Sequence, residues 1–226
     1  MKLITFDVYT ALFDVVGSLT PWMAAALSEA GGDGLAEAPT LVRAWRRKQL
    51  EYALISNSLG RARVPFRMIT ARALDYTLAQ ARRPLGTAER ERLAAAWDQL
   101  DLWPEAGEVL LAVKARGWRL GLLSNGDSDM LAALAARLPV AMDDILASET
   151  AGCYKPDPRV YMLPGRALGL APAEWLHVAG SATDVMGCKA AGMRCAWSNR
   201  WHDGLLDPAL GPDYEFSDLR GVLRVI

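Results

Sequence analysis

The feature that most constrains the fold is the alternation of strand-like and helical segments in the second half of the chain. After Pro104, short apolar segments typical of buried strands are separated by segments with helical periodicity. We predict strands over residues 118–124, 145–148, 175–180 and 194–197. Strands that alternate with helices in this way are typical of a parallel, doubly wound α/β sheet with right-handed crossovers.

One further strand stands apart from this series, at the start of the chain. Residues 3–8 form a short apolar segment with an acidic side chain at its end, and helical periodicity follows over residues 16–97. We therefore predict an α/β core made of residues 1–15 and 98–226, with residues 16–97 inserted as a helical cap over the carboxyl edge of the sheet. Within this insertion, helices are predicted to begin at four positions: Thr20, Thr40, Pro65 and Thr87.

The composition excludes several classes of protein. With 25 basic and 26 acidic residues the net charge is -1, which argues against binding nucleic acid through a positive field. No apolar run approaches the roughly 20 residues of a membrane span. Cys153, Cys188 and Cys195 are far apart and show no CxxC spacing, which favours reduced thiols and a cytoplasmic location. We therefore expect a small-molecule partner, and neither nucleic acid nor a membrane.

Polar side chains follow four of the predicted strands. Asp7 ends the first strand, and Ser124 and Asn125 follow the second. Lys155 lies in the loop after the third strand, and Asp184 follows the fourth. In open α/β sheets the ligand binds outside the carboxyl ends of the strands. Two carboxylates, a lysine and a hydroxyl beside helix-start amides therefore predict a catalytic site at this edge.

These residues lie in segments that resemble a known family. The chain resembles the haloacid dehalogenase superfamily of aspartate-nucleophile hydrolases, and more narrowly its L-2-haloacid dehalogenase branch. The resemblance covers nearly the whole chain and rests on six segments: FDVYTALFD (6–14), WRRKQLEY (45–52), LLSNGD (122–127), YKPDPRVY (154–161), GSATD (180–184) and WSNR (197–200). It implies a Rossmann-like core with an inserted helical cap, because the branch-specific segment WRRKQLEY falls in the insertion.

The resemblance also implies a mechanism. Asp7 would displace halide from a short (S)-2-haloacid and form an ester, which water would then cleave to give a 2-hydroxy acid. Lys155 would be the counter-ion of Asp7, and Asp184 would orient or deprotonate the water. Ser124 would hold the substrate carboxylate or a developing oxyanion, and Arg46 would receive the halide or grip the substrate. The remaining implied residues bind or enclose the substrate: Tyr9, Asn125, Tyr161, Ser181, Leu50 and Phe66.

Tyr9 is the main discriminator between activities. Phosphatases of the superfamily carry a second aspartate at this position, as an acid for the leaving oxygen, and they bind Mg²⁺. A departing halide needs no proton, so Tyr9 favours an enzyme without metal or other cofactor. Two alternatives remain open: a phosphatase whose Mg²⁺ is held by Asp7 and Asp184, and a binding protein without catalytic activity. The resemblance also implies a homodimer, with the helices of the insertion supplying the interface.

At three sites the residues differ from those typical of the branch. These differences affect the expected substrate more than the expected mechanism. Thr10 and Ala11 stand where the branch has Gly-Thr, so a hydroxyl near Asp7 is lost or moved by one residue. Ser181 replaces an asparagine that helps to hold the halide or the water, and Thr183 replaces a large aromatic residue. His177, on a predicted strand, is expected to be a core residue rather than a catalytic one.

Overall fold

The architecture is taken from a computed structural model, which describes residues 3–226. Six strands are present in this range: β1 (Leu3–Phe6), β2 (Arg119–Ser124), β3 (Asp144–Ala147), β4 (Trp175–Ala179), β5 (Arg194–Ser198) and β6 (Tyr214–Phe216). They form one sheet in the order β3-β2-β1-β4-β5-β6, and every neighbouring pair is parallel. The predicted doubly wound, parallel α/β sheet is therefore confirmed. β1 and β4 are central neighbours, so their carboxyl ends are adjacent.

Helices fill the connections between the strands. They are α1 (Val15–Glu29), α2 (Gly34–Ser58), α3 (Phe66–Gln80), α4 (Thr87–Ala95), α5 (Ala106–Ala115), α6 (Ser128–Ala135), α7 (Ser148–Ala151), α8 (Pro158–Tyr161), α9 (Leu163–Leu168) and α10 (Ala182–Ala190). Across the described residues, no helix combines the length and the apolar character needed to cross a bilayer.

The chain divides into two compact units. The first comprises residues 1–13 and 102–226, and the second comprises residues 14–101. The first unit contains the sheet, whose core includes the buried side chains of Tyr161 and Trp197. The second contains α1–α4, with a core in which the Trp45 and Trp97 rings meet edge to face at 5.5 Å. That the second unit acts as a cap stays a prediction.

Two helices of the second unit begin earlier than predicted. α1 begins at Val15 rather than at Thr20, because the carboxylate of Asp14 accepts a hydrogen bond of 2.8 Å from the amide of Gly17. α2 begins at Gly34 rather than at Thr40, where Asp33 caps in the same way. An aspartate at the cap satisfies an amide that the first helical turn leaves unbonded.

Candidate active site

The first strand delivers Asp7 to the carboxyl edge of the sheet. Asp7 caps a short π-helix, Val8–Leu12, which is closed by a hydrogen bond of 3.0 Å from the amide of Phe13 to the carbonyl of Val8. Such wide turns are rare and concentrate at functional sites. The side chain of Asp7 is nearly buried, with 7% of the residue exposed. This geometry aims a carboxylate into the region where the strand ends converge.

Four donors hold the carboxylate of Asp7. Its Oδ2 accepts from the amide of Thr10 at 3.0 Å and from the Thr10 hydroxyl at 2.7 Å. Its Oδ1 accepts from the hydroxyl of Ser124 at 3.0 Å and from Lys155 Nζ at 3.3 Å. The hydroxyl near Asp7 is thus moved by one residue, not lost. A carboxylate has about four acceptor positions, so this one is fixed in orientation.

Lys155 joins the two carboxylates of the site. Its Nζ lies 3.3 Å from Asp7 Oδ1 and 2.9 Å from Asp184 Oδ1. Burial by itself would lower the pKa of Lys155, but the charges of Asp184 and Asp7 outweigh it, and the pKa is raised above its usual value. Lys155 is therefore a permanent cation at neutral pH.

Asn125 positions the loop that carries Lys155. Its side-chain oxygen accepts from the backbone amide of Lys155 at 2.8 Å, and its carbonyl accepts from the Ser148 hydroxyl at 3.0 Å. Ser124 and Asn125 were both expected to meet the substrate. The hydroxyl of Ser124 instead donates to Asp7, and Asn125 holds the Lys155 loop, so their direct binding of substrate stays a prediction.

Asp184 accepts hydrogen bonds on both of its oxygens. The Tyr161 hydroxyl donates to Oδ1 at 2.8 Å, and His177 Nε2 lies 3.0 Å from Oδ2. Burial would raise the pKa of Asp184, but Lys155 and His177 hold it well below its usual range. A carboxylate with so low a pKa is a weak base. This favours orientation of a water by Asp184 over removal of its proton.

Tyr161 is a fixed hydrogen-bond donor. Burial, followed by the nearby charge of Asp184, raises the pKa of its hydroxyl well above the usual value. The hydroxyl therefore stays protonated and keeps its bond to Asp184. Tyr161 was expected to line the substrate pocket and to position other groups. Its hydrogen bond to Asp184 positions a neighbouring group, and its contact with substrate stays a prediction.

His177 lies in the same cluster, which the sequence did not predict. It is fully buried on β4, and its Nε2 is 3.2 Å from Lys155 Nζ as well as 3.0 Å from Asp184. Its Nδ1 is 2.9 Å from the hydroxyl of Thr5, which the sheet register pairs with it. β1 and β4 each carry one side chain that is not apolar, at these paired positions. That coincidence was the signal available in the sequence.

Tyr9 packs closely against the strand ends beside Asp7. It is buried, and a Cβ placed on Gly126 would lie 2.6 Å from its hydroxyl oxygen. A Cβ on Gly180 would lie 2.3 Å from the backbone carbon of Thr10. Gly180 is required, because a side chain there would collide with the backbone of the Asp7 loop, whereas a side chain at Gly126 would displace the side chains of Tyr9 and Leu131.

Ser181 and Thr183, the other two residues that differ from those typical of the branch, lie at the start of α10. Ser181 caps the helix and accepts a hydrogen bond from the amide of Asp184 at 3.4 Å. Thr183 is exposed in the first turn. Ser181 therefore supports the backbone of Asp184, and its contact with substrate stays a prediction.

The other predicted site residues belong to the second unit. Arg46 and Leu50 line an open pocket of about 580 Å³, formed by residues of α2 and by Val16 of α1. Arg46 Nη1 donates to Gln49 at 2.5 Å, and its guanidinium lies 5.6 Å from the centre of the Trp97 ring. Phe66 is buried against Trp97 and does not appear among the residues lining this pocket. The approach of Arg46, Leu50 and Phe66 to Asp7 stays a prediction.

Comparison with known families identifies this arrangement. A family model described as haloacid dehalogenase-like hydrolase matches residues 1–192. The chain belongs to the haloacid dehalogenase-like hydrolases. The resemblance stated from the sequence is therefore confirmed, and the chain is a hydrolase.

Individual relatives place this hydrolase in the L-2-haloacid dehalogenase branch. It is 33% identical to an (S)-2-haloacid dehalogenase of Pseudomonas sp. (strain YL), covering 100% of this chain and 94% of the relative. It is 34% identical to (S)-2-haloacid dehalogenase 1 of Pseudomonas sp. (strain CBS-3), covering 84% and 83%. A solved L-2-haloacid dehalogenase from Xanthobacter autotrophicus with chloropropionic acid covalently bound superposes with a TM-score of 0.84, at 27% identity and with coverage of 100% and 98%.

In the phosphatase alternative, Asp7 and Asp184 of this hydrolase are the expected ligands of Mg²⁺. Among residues 3–226, no group of three or more histidine, cysteine, aspartate or glutamate side chains is arranged to hold a metal ion. Asp7 and Asp184 instead share the ammonium group of Lys155. The expectation of a reaction without a cofactor stays a prediction.

Asp184 gives the hydrolase a pH-dependent contribution to stability. The pKa of folded Asp184 lies well below that of an unfolded aspartate, which is about 3.9. The contribution is therefore present above about pH 4 and is lost as the pH falls through the folded pKa. We expect the free energy of unfolding to fall more steeply between about pH 4 and pH 2 in the wild type than in Asp184→Asn. Urea unfolding at a series of pH values measures both slopes, and equal slopes would contradict the expectation.

Proposed function

We propose that the hydrolase cleaves the carbon–halogen bond of short (S)-2-haloacids, releasing halide and a 2-hydroxy acid through an ester on Asp7. The observation that carries this proposal is the nearly buried Asp7 carboxylate, held by Thr10, Ser124 and Lys155. The relatives named (S)-2-haloacid dehalogenase support the reaction, and the relative with chloropropionic acid covalently bound supports a covalent intermediate.

In the first step, a carboxylate oxygen of Asp7 attacks C2 of the substrate. The new C–O bond forms as the carbon–halogen bond breaks, and the halide leaves with the bonding electrons. One donor must release the attacking oxygen, and the hydroxyls of Thr10 and Ser124 can do so by rotating. The halide leaves without a proton, so the reaction needs no acid in the place of Tyr9.

In the second step, water attacks the carboxyl carbon of Asp7. The bond between this carbon and the ester oxygen breaks, and the 2-hydroxy acid leaves with one proton of the water. Asp7 returns as a carboxylate that carries the water oxygen, and the other proton passes to solvent. We assign the orientation of this water to Asp184, because its low pKa opposes proton transfer to it.

The charge balance of the site bears on how the substrate is held. Asp7 and Asp184 oppose the single cation Lys155, which leaves a net negative charge in a nearly buried site. An anionic substrate needs a further cation, and we propose Arg46, with Leu50 beside it as an apolar wall. Gln49 anchors one end of the guanidinium, and a guanidinium has five donors in a planar fork that suits a carboxylate.

A halide-release screen tests the proposed function. Chloro-, bromo- and fluoro-acids of two to four carbons are supplied with and without EDTA. We expect one halide per hydroxy acid formed, from (S) substrates, at a rate that EDTA does not change. EDTA-sensitive hydrolysis of p-nitrophenyl phosphate without halide release would replace the proposal with a phosphatase. Binding of the acids without release of any product would replace it with a binding protein.

We also propose a homodimer and a cytoplasmic location. Large apolar side chains are exposed on α1–α3, among them Trp22, Ile55 and Met68, which suits an interface made by the second unit. The three cysteines, all in the described part of the chain, form no disulfide, which suits a reducing compartment. Light scattering during gel filtration tests the dimer, and a monomer at micromolar concentration would contradict it.

A further inference from the structure

We infer that Thr5 and His177 form a positioning pair for the reaction: Thr5 holds His177 with its proton on Nε2, and His177 in turn holds Asp184 beside Lys155. This inference rests on the proposed function of Asp7. It concerns two buried polar side chains in the middle of the sheet, neither of which forms or breaks a bond in the two proposed steps. Their positions on β1 and β4 are paired by the sheet register.

Three contacts of the His177 ring bear on which nitrogen carries the proton, and the inference assigns it to Nε2. Nε2 is 3.0 Å from Asp184 Oδ2, which can only accept, so a proton on Nε2 makes this contact a hydrogen bond. The Thr5 hydroxyl, 2.9 Å away, then donates to Nδ1. With the proton on Nδ1 instead, Nε2 could accept from Lys155 Nζ at 3.2 Å, but its lone pair would face the closer Asp184 Oδ2 at 3.0 Å. With protons on both nitrogens, a buried imidazolium would lie 3.2 Å from the ammonium of Lys155.

The hydrogen bond from His177 to Asp184 affects how the ammonium group of Lys155 is shared between Asp184 and Asp7. Lys155 Nζ lies 2.9 and 3.1 Å from the two oxygens of Asp184 and 3.3 Å from Asp7, so Asp7 has the longest of these contacts. The His177 proton satisfies Asp184 Oδ2 and leaves Lys155 available to Asp7. Without it, the ammonium is drawn toward Asp184. We therefore expect the pair to affect the chemical steps rather than the binding of substrate.

Removal of the Thr5 hydroxyl is the direct test. Thr5→Val keeps the shape of the side chain, and we expect kcat to fall about tenfold with KM within about twofold of the wild type. Thr5→Ser restores the hydroxyl and should restore kcat. His177→Gln, which can place an amide N–H near Asp184, should retain more activity than His177→Leu. The matched control is Thr77→Val, which removes a buried hydroxyl from α3 in the second unit and should leave kcat and KM unchanged.

Nitrogen NMR of wild-type protein tests the inference without any activity. The chain has two histidines, so the spectrum of His177→Gln identifies the signals of His177. We expect a protonated Nε2 and an unprotonated Nδ1 in the wild type, and a changed Nδ1 signal in Thr5→Val. A proton on Nδ1, or on both nitrogens, would overturn the inference, as would an unchanged kcat in Thr5→Val and His177→Leu. Failure of the proposed function would instead appear as wild-type protein that releases no halide, whatever the NMR result.

Discussion

Replacement of Asp7 by asparagine is expected to abolish turnover, with a fall in kcat of about 10⁴-fold or more. The substitution keeps the size of the side chain but replaces a carboxylate oxygen by an amide nitrogen. The amide is a poor nucleophile, and its NH₂ group must also face donors, because both oxygens of Asp7 accept hydrogen bonds from Thr10, Ser124 or Lys155. Halide release measures the effect, and intact-protein mass spectrometry confirms that the asparagine has not reverted to aspartate.

The matched control for this substitution is Asp144→Asn. Asp144 is also a partly buried carboxylate of the first unit, paired with Arg119 at 2.6 Å, but it begins β3 and so lies at the amino edge of the sheet. We expect the Asp144→Asn variant to keep the kcat of the wild type. A single turnover in ¹⁸O-water should place the label in Asp7, whereas label only in the product would argue for direct attack of water on the substrate. Normal turnover by Asp7→Asn would refute the covalent mechanism.

Replacement of Lys155 by methionine is expected to lower both activity and stability. Methionine has a similar length but no charge, so Asp7 and Asp184 would be left buried without their shared cation. Removing one partner of a buried ion pair typically costs about 3–5 kcal/mol of folding free energy. We expect kcat/KM to fall about 10³-fold, because Lys155 orients the nucleophile and compensates its charge. Urea unfolding and halide release measure the two effects.

The stability loss in Lys155→Met should depend on pH. Without the cation, the pKa of Asp184 in the folded protein rises, so the folded variant takes up protons more readily than the folded wild type. The deficit in unfolding free energy should therefore shrink as the pH falls. Lys189→Met is the matched control, because Lys189 pairs with Asp213 on a more exposed surface of the same unit, at 2.8 Å. Exposed pairs contribute about 1 kcal/mol or less. A pH-independent deficit in Lys155→Met would contradict the shared-cation model.

The predicted strands agree with the structure, and the polar side chains predicted at their ends lie close together, because both features follow local rules. Apolar segments mark the buried strands, and the carboxyl ends of parallel strands meet at one edge, which brings Asp7, Ser124 and Lys155 together. The predicted starts of α1 and α2 were wrong, because the prediction favoured proline and threonine as start signals over Asp14 and Asp33, which cap these helices. β6 was not predicted, since a strand of three residues has too little periodicity to detect.

The sequence by itself determined the fold class, the family and the placement of the charged side chains Asp7, Lys155 and Asp184 after the strands, and their catalytic roles stay a prediction. Only the tertiary structure decided which partners these groups use. Thr10 donates to Asp7, Asn125 holds the Lys155 loop, and His177 contacts Asp184. The physical reason is that hydrogen bonds form over about 3 Å. A motif indicates that a side chain lies at a strand end, but the register of β1 with β4 and the π-helix after Asp7 decide which atoms come within that distance.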